Sequence, residues 1–290
     1  MTKQGGLFTY AWVPKRGGMN LELLSDIPSG MTRGVSVLLV HGICLGAWVW
    51  RENFMPYLAA RGFPAYALSL RGHGDSDGAT DLHHWHLKDF AADLEWAAER
   101  IGGPMVIVGH SMGGGVAQHY LYRGGKAAGM ALMASAPPHG LMRASFAMYA
   151  RNPGLWHEMS RLRDGVIDHV DFGIIERGML SQSLSAQDRA RLLRRMGDPA
   201  VTAAMELMGW RPLAPLPWLA PPTLVIGGER DAFIPPVDVE LTGVYYGVRP
   251  IMLPGCAHAI MLEACWREAA DQLCAWLEVT FEGAGEALSA

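Results

Sequence analysis

Two serines in the chain lie within a Gly-x-Ser-x-Gly pattern. Residues 109–113 read Gly-His-Ser-Met-Gly, and residues 74–78 read Gly-Asp-Ser-Asp-Gly. Ser111 follows the apolar run Met105–Val108 and precedes a glycine-rich segment that opens a predicted helix. Such a strand, tight turn and helix expose a nucleophilic hydroxyl at the sheet edge, and glycine permits the turn. Ser76 lies between two aspartates in a polar loop, so we interpret it as a turn residue and Ser111 as the nucleophile.

A serine nucleophile needs a base that accepts its proton, and histidine titrates in the required range. In proteins with this turn, an acid and then a histidine follow the serine along the chain. Four histidines follow Ser111, and His258 lies in the loop after a predicted strand, Ile251–Leu253. The other three fall in a region without strand signals: His139, His157 and His169. His258 is therefore the candidate base.

The third member of such a triad is a carboxylate that orients the imidazole and stabilises its charged form. It should follow the strand before the one that leads to the histidine. Asp231 lies in this position, after the apolar run Thr223–Ile226, with Glu229 as the nearest alternative. Loop position favours Asp231.

An acyl-transfer site also needs two backbone N–H groups that hold the oxyanion of the tetrahedral intermediate. One donor is normally the residue after the nucleophile, which is Met112. The other is expected in the loop after an early strand, where the sequence reads His-Gly-Ile-Cys from residue 41. Ile43 is the candidate second donor, and Gly42 permits an unusual turn beside it.

The elements that must position these residues follow from the alternation of short apolar runs with helical patterns. This alternation is typical of βαβ units that form a parallel sheet. The predicted strands are Phe8–Val13, Asn20–Leu24, Val35–Val40, Ala65–Leu70, Met105–Val108, Met130–Met133, Thr223–Ile226 and Ile251–Leu253. The predicted helices are Arg51–Arg61, Leu87–Arg100, Gly113–Tyr122 and Glu263–Phe281, before a frayed tail over Gly283–Ala290. An eight-stranded, mostly parallel sheet flanked by helices is expected.

Strand signals stop between the sixth and seventh predicted strands, where the sequence becomes helical and rich in methionine and arginine. Proline-rich connectors bound this region. We therefore predict a core over residues 1–136 and 222–290, with a helical cap over 137–221. Methionine and aromatic side chains there are suited to an adaptable apolar pocket. The candidate substrate contacts are Trp48, His110, Met148, Trp156 and Ile260.

Composition excludes several classes of protein. The net charge of −4 over 290 residues and the absence of a basic cluster argue against a nucleic-acid partner. No apolar run reaches the ~18 residues of a membrane span, and no signal peptide is evident, so a cytoplasmic location is expected. The four cysteines show no metal spacing and are expected to be reduced. The closely spaced His83, His84 and His86 cannot easily converge on one ion, so no metal site is predicted.

The motifs HGICLGAWVW, LRGHGDSDG, GHSMGGG, GERDAFIP and CAHAIMLE occur in this order. On these motifs the chain resembles the α/β-hydrolase superfamily over most of residues 35–282. The segment 41–48 is similar to plant methylesterases and hydroxynitrile lyases, whereas RGHGDS and GHSMGG are similar to bacterial esterases and lysophospholipase-like enzymes. The resemblance implies an α/β-hydrolase fold, a cap inserted after the sixth strand, and hydrolysis without a cofactor.

Departures from related families narrow the expected reaction. The lyases carry threonine and lysine where this chain has Gly42 and Ala259. Epoxide hydrolases and haloalkane dehalogenases carry an aspartate nucleophile where this chain has Ser111. The loop after His41 also lacks the HGGPG pattern of prolyl aminopeptidases. We predict cleavage of carboxylic esters of small to medium apolar substrates. A thioesterase, a C–C bond hydrolase and a non-catalytic ligand receptor remain alternatives, and the oligomeric state stays open.

Overall fold

One mixed β-sheet organises the chain, of which the computed structural model describes residues 11–14, 19–164, 169–182, 185–209 and 212–281. Its strands are β1 (Ala11–Pro14), β2 (Asn20–Asp26), β3 (Ser36–Val40), β4 (Ala65–Leu68), β5 (Met105–His110), β6 (Gly129–Met133), β7 (Thr223–Gly228) and β8 (Ile251–Leu253). They are ordered β1-β2-β4-β3-β5-β6-β7-β8. β2 runs antiparallel to β1 and β4, and the remaining neighbours run parallel. The predicted mostly parallel sheet is confirmed.

Helices cover both faces of this sheet. Those of the core are α1 (Trp48–Arg51), α2 (Phe54–Ala60), α3 (Leu87–Ile101), α4 (Met112–Tyr122), α10 (Pro236–Tyr246) and α11 (Trp266–Phe281). Between β6 and β7 lie α5 (Met142–Arg151), α6 (Pro153–Arg163), α7 (Phe172–Met179), α8 (Ala186–Arg195) and α9 (Val201–Glu206). Short 3-10 turns occur at Ala79–His84, Pro217–Leu219 and Ile260–Leu262. The insertion of helices thus follows the sixth strand.

Two hydrophobic layers hold the sheet between its helices. Trp50, Phe54 and Phe63 are fully buried in one layer, together with apolar side chains of α11. Phe90 of α3 lies in the other layer, together with apolar side chains of α4. Burying each such large side chain stabilises the fold by about 1.5–3 kcal/mol. The rigid sheet between these layers fixes the carboxyl ends of its parallel strands, where the candidate site lies.

The ends of the elements differ slightly from the sequence-based expectation. β5 continues two residues beyond the predicted Val108, up to His110, so that Ser111 follows the strand directly. The predicted helix 51–61 is divided into α1 and α2 near Asn53. Residues 8–10 of the predicted first strand and the predicted tail Gly283–Ala290 lie outside the described residues. Across the described ranges, no helix combines the length and apolarity needed to cross a membrane.

Candidate active site

Ser111 occupies the sharp turn between β5 and α4. Its backbone has φ 52° and ψ −119°, a strained conformation of the kind that costs about 1–3 kcal/mol and clusters at functional sites. The Ser111 N–H donates to the Met133 carbonyl at 3.2 Å, which ties the turn to β6. A Cβ at Gly113 would overlap the carbonyl oxygens of Val40 and His41, so only glycine lets α4 approach β3 this closely.

His258 joins the serine to a carboxylate. The Nε2 of His258 lies 3.0 Å from Ser111 Oγ, and its Nδ1 lies 2.8 Å from Asp231 Oδ2. The other carboxylate oxygen of Asp231 accepts the backbone N–H groups of Phe233 at 2.8 Å and Ile234 at 2.9 Å. These two backbone bonds therefore hold the carboxylate in its orientation toward the imidazole.

Two aromatic rings also pack against the imidazole of His258. The Phe233 ring stacks on it with centroids 4.8 Å apart, and the His110 ring lies 4.9 Å away on a tilted plane. Glu229, the alternative acid, is exposed and accepts the Gly255 N–H at 3.0 Å instead. The stacking role of Phe233 was missed from the sequence, although its position two residues after Asp231 was a usable signal.

The candidate oxyanion donors lie in the loop after β3 and at the start of α4. Met112 begins α4, and N–H groups of the first helical turn have no partner within their helix. Ile43 and Met112 both border the cavity onto which Ser111 opens. The Leu70 N–H donates to His41 Nε2 at 3.0 Å, so His41 Nδ1 carries the proton that faces the Gly42 carbonyl at 2.7 Å. Burial lowers the pKa of His41 to about 3, which keeps this loop anchor neutral.

A largely apolar cavity of about 170 Å³ extends from Ser111 into the cap. None of the described residues that line it carries a charged side chain. Its lining comprises Ile43, Ser111, Met112, Ala136, Leu141, Ala144, Ser145, Met148, Trp156, Met159, Ser160, Leu162, Pro199, Val201, Ala204, Met205, Leu207, Met208, Phe233 and Ile234. The cavity therefore suits a neutral, apolar group. The Trp156 indole N–H lies 3.3 Å from Ser145 Oγ and is thereby directed to a neighbour in the cap.

The five predicted substrate contacts lie in different surroundings. Met148 and Trp156 line the cavity, whereas Trp48, His110 and Ile260 do not. Trp48 lies in a separate groove, where the Arg195 guanidinium covers its ring at 5.3 Å. His110 and Ile260 are buried, with 1% and 0% of their surface exposed. All three are close to catalytic motifs in sequence, but none of them lines the cavity.

The expectation that all four cysteines are reduced is wrong. Cys256 and Cys265 form a disulfide with Cα atoms 6.1 Å apart, whereas Cys44 and Cys274 are free and buried. Glu263, between the bonded cysteines, accepts the N–H groups of Ala257 at 2.8 Å and Ser181 at 2.9 Å. The disulfide thus closes a short loop that contains His258. The spacing of the cysteines along the sequence did not reveal this disulfide, because the two cysteines come together only through the turn between them.

Replacing Cys265 with serine is expected to lower the free energy of unfolding by about 2.5 kcal/mol, from the chain entropy of a loop of about ten residues. Reductant should lower the melting temperature of the unmodified protein but leave that of Cys265→Ser unchanged. Alkylation of the denatured, unreduced protein should modify two thiols, Cys44 and Cys274. Modification of all four would contradict the disulfide.

Comparison with known proteins agrees with the fold. Residues 37–272 match the model of the alpha/beta hydrolase family. Since this match covers most of the chain, the protein belongs to the alpha/beta hydrolase family. The similarity of segment 41–48 to plant methylesterases stays an interpretation of that segment.

Individual relatives differ in their reactions. A monoacylglycerol lipase from Mycolicibacterium smegmatis is 26% identical over 273 residues, which cover 90% of this chain and 94% of the lipase. Epoxide hydrolase 3 from Xenopus tropicalis is 23% identical and covers 80% of this chain and 68% of its own. An esterase from Exiguobacterium antarcticum superposes with a TM-score of 0.71 at 16% identity, over 93% of this chain and 100% of its own. This structural likeness shows the shared fold.

Proposed function

We propose that the protein is a serine esterase that hydrolyses esters of neutral, apolar acyl groups through an acyl-enzyme. The observation that carries this proposal is the pair of contacts made by His258, to Ser111 and to Asp231, beside an uncharged cavity. The similarity to a monoacylglycerol lipase over nearly the full length of both chains supports it. Ser111 stands where epoxide hydrolases carry an aspartate, which disfavours epoxide opening.

In the first half of the reaction, His258 Nε2 accepts the proton of Ser111 as its Oγ attacks the ester carbonyl. The developing oxyanion accepts the N–H groups of Ile43 and Met112. Asp231 stabilises the imidazolium through its bond to Nδ1. The imidazolium then gives its proton to the alkoxide leaving group, so the alcohol departs and the acyl group remains on the serine.

The second half returns the enzyme to its starting state. His258 accepts a proton from water, the resulting hydroxide attacks the acyl-serine carbonyl, and the same N–H groups hold the second oxyanion. Collapse of this intermediate releases the carboxylic acid, and the proton returns from the imidazolium to Ser111 Oγ. The cycle consumes one water and needs no other reactant.

A series of p-nitrophenyl esters of increasing acyl length tests this proposal. Each methylene that the cavity buries should contribute about 0.8 kcal/mol, so kcat/KM should rise about fourfold per added carbon until the cavity is filled. Ala144 lines the cavity and is 2% exposed. Ala144→Phe should lower kcat/KM for the longest accepted chain at least tenfold and change acetate hydrolysis little. Ala150→Phe, at an exposed position of the same helix, is the matched control.

A flat dependence on chain length would contradict the assignment of this cavity to the acyl group. The same acyl series presented as thioesters separates the main alternative, because a thioesterase should prefer the thioester over the matched ester. Tight binding of esters without turnover would instead indicate a ligand receptor. The contacts among Ser111, His258 and Asp231 favour turnover.

A further inference from the structure

His110 is the residue immediately before the proposed nucleophile. It ends β5 and is 1% exposed, and it does not border the cavity on which Ser111 opens. Its ring lies instead between the loop after β3, which carries one candidate oxyanion donor, and the loop that carries His258. A buried imidazole in this place needs an explanation other than substrate contact.

The polar contact of this ring is with the catalytic histidine's own backbone. His110 Nε2 lies 3.0 Å from the carbonyl oxygen of His258. A carbonyl only accepts hydrogen bonds, so Nε2 must carry the proton. His110 Nδ1 is buried and has no hydrogen-bond partner among the described residues, as suits a bare lone pair. Burial also lowers the pKa of His110 well below its usual value, so the ring stays neutral.

The ring is also tightly enclosed. A Cβ added at Gly42 would lie 2.9 Å from His110 Nδ1 and 3.0 Å from Ser111 Cβ. Any other residue at position 42 would therefore displace both side chains. On its other side, the His110 ring contacts the imidazole of His258. His110 therefore sets the spacing between the oxyanion loop and the catalytic imidazole.

Two neighbouring bonds of the His258 loop show why this contact matters. The His258 carbonyl accepts a second N–H, from Ile260 at 2.9 Å, but that bond is internal to the loop. The Ala259 N–H donates to Met179 of the cap at 2.9 Å. The bond from His110 thus connects the loop, at His258 itself, to the strand that carries Ser111.

We infer that His110 is a positioning residue: by donating its Nε2–H to the His258 carbonyl, it holds the imidazole of His258 between Ser111 and Asp231. This inference rests on the proposed acyl-enzyme mechanism. It assigns His110 a role in aligning the reacting groups, which is distinct from binding the ester. Misplacement of reacting groups by about 1 Å can cost on the order of 10²-fold in rate.

Two substitutions separate the hydrogen bond from ring packing. His110→Leu fills similar space without a donor, whereas His110→Gln offers an amide N–H near the position of Nε2. We expect His110→Leu to lower kcat on the order of 10²-fold with KM changed less than about threefold. His110→Gln should recover at least tenfold of that loss. The rate of Ser111 labelling by a fluorophosphonate should follow kcat in both variants.

Two results would overturn the inference. One is a kcat for His110→Leu equal to that of the unmodified protein, and the other is equal impairment of both variants. Nitrogen-15 NMR of histidine-labelled, unmodified protein gives a test that needs no variant. His110 should show the Nε2–H tautomer without titrating between about pH 5 and 8. An Nδ1–H tautomer would contradict the bond, whereas absence of ester turnover in the unmodified protein would contradict the proposed function instead.

Discussion

Ser111→Ala is expected to lower kcat for ester hydrolysis by a factor on the order of 10⁴ or more, because it removes the hydroxyl that His258 Nε2 contacts. The variant should still fold and bind substrate, since the change removes one oxygen atom from the cavity surface. A fluorophosphonate, which labels activated serines, should add one mass increment to the unmodified protein and none to the variant. Intact-mass spectrometry and steady-state kinetics measure both effects.

The chain offers a matched control for this experiment in its second Gly-x-Ser-x-Gly pattern. Ser76 Oγ donates to the Ser69 carbonyl at 2.6 Å and accepts the Glu22 N–H at 2.8 Å, so its hydroxyl is used to fasten a loop to β2. Ser76→Ala should reduce stability and leave the labelling intact. Labelling that survives Ser111→Ala and disappears with Ser76→Ala would refute the nucleophile assignment.

Much of the site could be predicted because its residues occupy fixed places on a regular scaffold. The tight turn at Ser111 demands small neighbours, and that demand is visible as the glycines around it. Asp231 and His258 lie in the loops after β7 and β8, and the carboxyl ends of parallel strands lie at the same edge of a sheet. Chain order and loop position therefore identified three residues, of which His258 lies within hydrogen-bond distance of both others.

The side-chain directions beside these motifs could not be predicted. β5 is buried on both faces, so alternation of apolar and polar residues gives no indication of where His110 points. The pairing of Cys256 with Cys265 depends on the turn that contains His258, and Trp48 faces α8 of the cap. Side chains of the cap form most of the cavity, and the cap helices carry none of the motifs found in the core. Its shape depends on how they dock, which local sequence does not determine.

Asp231→Asn is expected to lower kcat by about 10⁴-fold with little change in fold. The side-chain oxygen can still accept the N–H groups of Phe233 and Ile234, which directs the new amide NH₂ at His258. That amide donates to Nδ1, so the imidazole proton moves to Nε2. An Nε2–H facing Ser111 Oγ cannot accept the serine proton, and attack on the ester fails.

Glu229→Gln provides the matched comparison, since it makes the same chemical change two residues earlier. Glu229 is exposed and accepts the Gly255 N–H, which a glutamine oxygen can also do. Its kcat should therefore stay close to that of the unmodified protein. Fluorophosphonate labelling should slow with kcat in Asp231→Asn, since both reactions need His258 as the base. A large loss of kcat in Glu229→Gln, with Asp231→Asn active, would transfer the role of acid to Glu229 and require a different path of contacts to the imidazole.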